Sequence, residues 1–135
     1  MTTVFGIIGA IADRLRTLDG MTVYTEPPGT VTTPAVILSL GGIEYDTTMS
    51  RGSDDVTVVA ELFVTAGPQG AENLYSYLDG QGPNSLKELF ESDTTLDGLV
   101  HDCALSSVGS ADRAGVSKPE YLHIDLTFTV MTVLG

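Results

Sequence analysis

The 135-residue sequence predicts an α+β domain, with a mostly antiparallel sheet and its helices packed on one face. Two observations carry this reading. Runs that alternate apolar and polar residues cluster at the middle and end of the chain, and the stretches with helical spacing lie at the start and between those runs. The length fits a single domain over residues 1–135, and 42% apolar residues supply one ordinary core.

The first helix is expected to begin at Thr2 or Thr3. Val4, Ile7, Ile8, Ile11, Leu15 and Leu18 then recur three and four positions apart, and Asp19-Gly20 ends the helix. Gly6, Gly9, Ala10 and Ala12 make its first half small and apolar on nearly all sides. The expectation is burial on more than one face, with Ile7 and Ile11 as candidates for contact with a neighbouring subunit. Met21 to Thr25 reads as a short strand. Glu26-Pro27-Pro28-Gly29 reads as a turn, since two prolines remove backbone donors. Pro34 to Leu40 is an apolar strand covered on both faces and ended by Gly41-Gly42.

Ile43 to Ser50 alternates weakly. Val56 to Ala66 alternates clearly, with Val58, Ala60, Leu62 and Val64 on one side. Between them the polar Arg51-Gly-Ser-Asp-Asp55 reads as a hairpin loop, and the pair of long strands suits a projecting arm. Ala71 to Leu78 and Leu86 to Glu91 read as helices, the second capped by Asn84 or Ser85 with Glu88 in its first turn. Leu99 to Val108 reads as a strand. Gly109 to Lys118 is a long polar loop, and Tyr121 to Val133 closes the chain with strict alternation.

Charge excludes several functions. Six Lys+Arg against eighteen Asp+Glu give −12, which argues against a primary nucleic-acid binder and against docking on anionic lipid. The excess is greatest in residues 51–100, where nine acids meet two bases. A solvated acidic face accounts for it, and so does a surface that repels DNA. The first apolar run, Gly6 to Ala12, is too short to span a bilayer and follows no basic segment, so neither membrane insertion nor a secretory signal is expected.

The single cysteine excludes an internal disulfide framework. His101-Asp102-Cys103 is the one local cluster of metal-ligand types, and His123 comes near Cys103 if the last two strands pair in a suitable register. A Cys-His nucleophile is nominally available there, but no G-x-S-x-G elbow occurs. Asp54-Asp55 is better read as polar hairpin tip than as a cation site. Gly80-x-Gly82-x-x-Ser85 follows a helix, where a phosphate loop would follow a strand. Asp79-Gly-Gln-Gly departs from a calcium loop at Gln81 and Phe90. This inventory points to a scaffold: no enzyme activity, no cofactor, no metal and no catalytic residue are expected.

The layout resembles the tail terminator proteins of long-tailed, siphovirus-type bacteriophages, the family of the lambda tail terminator. The resemblance rests on the N-terminal amphipathic helix, the Pro-bounded strand Pro34-Ala-Val-Ile-Leu-Ser-Leu and the Thr-rich strand pair. It rests also on Leu74-Tyr-Ser-Tyr-Leu-Asp-Gly-Gln-Gly-Pro-Asn-Ser-Leu-Lys-Glu-Leu-Phe and the closing strands. It implies a ring-forming subunit, six copies to a ring. That ring would sit on the head-proximal end of the tail tube, stop tube polymerisation and offer the surface that joins the head.

The implied partners are further copies of the chain, the tail tube protein and the stopper or connector of the head. DNA would pass through the lumen without specific binding, and no membrane is involved. The implied location is the virion tail or neck, with assembly in the host cytoplasm. Candidate contact residues fall in three regions: Thr47, Ser50, Arg51, Asp54 and Asp55 in the hairpin, Asp112, Arg113 and Lys118 in the long loop, and Ile7 and Ile11 on the first helix. The rival readings are another neck or head-completion stopper, a tail tube subunit, a small hydrolase using His101 and Cys103, and a monomeric binding module.

Overall fold

The computed structural model describes residues 2–18, 20–26, 32–45, 53–65, 69–82, 85–109, 112–114, 121–132 and 134. Helix α1 (Val4–Leu15) leads to strands β1 (Thr22–Tyr24), β2 (Ala35–Glu44) and β3 (Asp54–Thr65). Helices α2 (Gly70–Ser76) and α3 (Leu86–Glu91) follow, then β4 (Asp102–Val108), β5 (Asp112–Ala114) and β6 (Tyr121–Thr132). The strands form one sheet in the order β1-β2-β3-β6-β4, with β5 also paired to β6. All pairings are antiparallel except β1 with β2, which run parallel. The α+β class therefore holds, with a mixed sheet.

Alternation sets the two faces of the central strands. Val56, Val58, Ala60, Leu62 and Val64 of β3 are buried, as are Ile124, Leu126, Phe128 and Val130 of β6. Each set lies opposite the other across the pair, Val58 facing Phe128 and Ala60 facing Leu126. Ile7, Ile11 and Leu15 of α1, Leu74 of α2 and Leu86 and Phe90 of α3 join the same core. The helices thus cover one face, and the other carries Thr57, Val59, Glu61 and Phe63 beside His123, Asp125 and Thr127.

Local chemistry fixes the helix ends. The Thr3 hydroxyl accepts a hydrogen bond from the Gly6 N–H at 3.0 Å, capping α1. Gly20 takes the left-handed φ of +73° soon after the helix ends. Ser85 caps α3 by accepting from the Glu88 N–H at 3.2 Å, and its own hydroxyl donates to the Asp79 carbonyl. Glu88 reaches back to accept from the Gly82 N–H at 2.9 Å, upstream of the cap residue that a reciprocal capping-box bond would engage.

Element ends shift by a few residues from expectation, as α1 ending at Leu15 and β4 starting at Asp102 show, and three differences go further. Gly41-Gly42 does not end its strand: β2 continues to Glu44, with an irregularity in register between Leu40 and Gly42. A Cβ on Gly41 would meet Val59 Cγ2 at 2.9 Å and the Thr57 carbonyl oxygen at 3.2 Å, so only glycine fits this close approach. Asp54 and Asp55 are strand residues of β3, not hairpin tip. Asp54 is buried and accepts from the Leu134 N–H at 3.0 Å. The expected loop Gly109 to Lys118 contains strand β5, because Asp112 to Ala114 pair with His123 to Tyr121 of the long last strand.

The turn after α3 is built around Asp93. Its carboxylate accepts from the Thr95 hydroxyl at 2.7 Å, the Thr95 N–H at 3.0 Å and the Asp97 N–H at 2.9 Å, and Arg14 of α1 donates to it at 3.3 Å. Leu96, Asp97 and Gly98 all take positive φ, 50°, 60° and 86°. For a leucine this costs backbone energy, which the fixed carboxylate and the burial of Leu96 offset. The Thr95 hydrogen bonds first, with the Asp97 N–H and Arg14, hold Asp93 well below the usual carboxylate range. A carboxyl depressed by folding stabilises the fold above its unfolded value near pH 4, and that stabilisation fades as pH falls toward the folded value. Asp93→Asn should therefore lower Tm at pH 7, and thermal melts through pH 5, 4 and 3 should show the gap to wild type narrowing.

Candidate functional site

Sequence placed one candidate interface on α1. Ile7 and Ile11 are fully buried inside their own subunit, so they offer nothing to a neighbour, and the expectation is corrected there. Helical spacing marked the face as apolar, and the sheet rather than a second chain covers it. The large apolar residue of α1 that does face outward is Phe5, 85% exposed. Thr47, Ser50, Arg51 and Lys118 lie outside the described residues. Asp54 is occupied by the Leu134 N–H, and Asp55 lies between Glu44 and Met131 in the sheet, with Oδ1 buried and without a hydrogen bond. Asp112 and Arg113 sit in β5 opposite His123 and Leu122.

The nine acids of the middle segment do not share one surface. Glu61 is on the open sheet face, Glu72 is in the first turn of α2, Glu91 pairs with Lys87 at 2.8 Å, and Asp93 and Asp97 flank Arg14. Local charge in the sequence therefore does not map to a single acidic patch.

The hydrolase reading fails on geometry. β4 and β6 do pair, but Cys103 lies opposite Val130 and points into the core, fully buried. Burial first, and the nearby Asp102 charge second, push its thiol up to about 12, so it stays protonated and unreactive. His101 precedes β4 and is exposed, with its N–H bound to the Met131 carbonyl. His123 lies on the opposite sheet face from Cys103, so these residues assemble neither a nucleophile–base pair nor a metal site.

Sequence reasoning missed a different constellation on the open face. Glu61 of β3 is directly opposite Asp125 of β6, and His123 lies two residues from Asp125 on the same side. His123 Nε2 is 2.9 Å from Asp125 Oδ1 and 3.9 Å from Glu61 Oε2. The Phe63 ring stacks on the imidazole with centroids 4.8 Å apart. Among the described residues this is the one group of three metal-ligating side chains whose ligand atoms all lie within 4.8 Å of one another. The i, i+2 spacing of His123 and Asp125 was legible in the sequence. The cross-strand partner was not, because it depends on register.

The sheet also presents an open edge. β4 is the last strand of the path, and among the described residues no strand pairs with its outer side. Its sequence, Asp102-Cys-Ala-Leu-Ser-Ser-Val108, has one charge and no Lys or Pro. Ala104, Ser106, Ser107 and Val108 are exposed. Among the described residues no helix is long and apolar enough to cross a membrane.

No family model matches the chain, and no curated protein matches it. Among solved structures, the chain is similar to one in the virion of a native gene transfer agent particle, with 17% identity over 93% of both chains and a TM-score of 0.49. A likeness this distant decides neither fold nor role.

Proposed function

We propose that the chain is a structural subunit of a phage-type virion and acts as a tail terminator. Several copies close into a ring on the head-proximal end of the tail tube, end its polymerisation and present the surface that joins the head. The observation that carries this reading is the outer edge of β4, with which no strand among the described residues pairs. An edge strand without the lysines or prolines that blunt such edges is a template for another chain. A head-to-tail contact of that kind closes into a ring when its rotation suits the copy number. The layout of the sequence supports the terminator role within that class, and the protonated, buried Cys103 removes the chemistry on which the hydrolase reading depends.

In this reading the lumen passes DNA without holding it, since −12 of net charge denies the phosphates favourable contacts. The test is tube assembly followed by electron microscopy. Tail tube protein polymerised with this chain should give tubes of limited, even length, each with a ring at one end. Tubes as long and uneven as those grown alone would overturn the proposal. Stacking of the chain itself into open polymers would identify a tube subunit instead.

A further inference from the structure

We infer that Glu61, His123 and Asp125 form a binding site for a divalent ion of the zinc class on the open face of the sheet. The three side chains stand on β3 and β6, the two longest strands and direct neighbours at the centre of the sheet. Two carboxylates directly opposite each other on one face of an antiparallel pair repel. Here they face each other beside an imidazole whose Nε2 lies within 4 Å of an oxygen of each.

The nitrogen itself argues for a shared ligand. His123 Nε2 is buried and makes no hydrogen bond, although Asp125 Oδ1 is only 2.9 Å away. The oxygen flanks the direction along which the nitrogen would donate or coordinate, as ligands around one ion do. Zinc binds imidazole nitrogen and carboxylate oxygen at about 2.0–2.2 Å, which places tetrahedral ligand atoms about 3.3 Å apart. The observed 2.9 and 3.9 Å bracket that spacing. Small side-chain rotations of Glu61 and Asp125, both partly exposed, complete the fit.

The site is held in place. Phe63, directly opposite His123, stacks on the imidazole and limits its rotation, and the strand backbones fix the three Cα positions. One imidazole with two carboxylates selects zinc, cobalt or nickel over calcium and magnesium, which prefer all-oxygen sites. Three protein ligands on an exposed face leave a fourth position for water.

The test is titration of the intact chain with zinc chloride by calorimetry, and with cobalt chloride by visible absorption. We expect one equivalent bound per chain. Glu61→Gln, a near-isosteric change at a partly exposed side chain, and His123→Ala should each weaken binding by at least about tenfold. His101→Ala, which changes the other histidine, should leave it unchanged. Circular dichroism of each variant separates lost ligands from lost fold, and the Glu61→Gln result stands alone if His123→Ala does not fold. Absence of binding at millimolar zinc would overturn the site. So would weak binding of several equivalents that neither variant changes, which is diffuse attraction to an acidic chain.

Discussion

Phe128→Ala is expected to destabilise the fold by about 3–5 kcal/mol. Phe128 is fully buried on β6, between Val58 of β3 and Leu105 of β4. Its ring meets that of Phe90 on α3 with centroids 4.7 Å apart and an interplanar angle of 54°, a tilted geometry that adds to the area it buries. Truncation would leave a cavity where strands on both sides meet α3, and β6 is held by paired strands on both edges, which limits how far the sheet can collapse into it. A domain of this size has about 5–15 kcal/mol in total, so the urea midpoint should fall by about a fifth or more. Phe63→Ala is the matched control. Phe63 lies on the open face and is only half buried, so its loss should cost about 1 kcal/mol. Equal midpoints for the two variants would contradict the division of the sheet into a covered and an open face.

That division was legible in the sequence because it depends only on parity. Val58, Ala60, Leu62 and Val64 alternate with polar or aromatic neighbours, and a two-residue period admits one assignment of faces. The Ser85 cap was legible for a similar reason, since a hydroxyl, a following helix and Glu88 three positions on form a local pattern. Partner choice was not legible. Nothing in Thr22–Tyr24 says that it lies parallel to β2, and nothing near Glu61 names Asp125 as its opposite. The three successive positive φ values at Leu96, Asp97 and Gly98 were also out of reach. A leucine takes that conformation only when contacts distant in sequence, here Asp93 with Arg14, hold it there.

α1 separates what periodicity reveals from what it leaves open, and it sets the second large effect. Ile11→Asp should abolish folding or cost at least about 3–5 kcal/mol, since the site is fully buried and supplies no partner for a charge. Phe5→Asp, half a helix away, should behave in the opposite sense. Phe5 is 85% exposed and second in the helix after the Thr3 cap, and the first turn holds no acid. A carboxylate there complements the helix dipole, so stability should stay level or rise by about 0.3–1 kcal/mol. An exposed phenylalanine with no role within its own subunit fits a contact between subunits. Under the ring proposal, Phe5→Asp should therefore give a well-folded protein that closes into rings less readily and leaves tail tubes longer and more uneven. Thermal melts and tube-length distributions on the same two variants check both halves. A stable Phe5→Asp protein that still caps tubes evenly would remove α1 from the interface and leave the edge of β4 to carry the subunit contact alone.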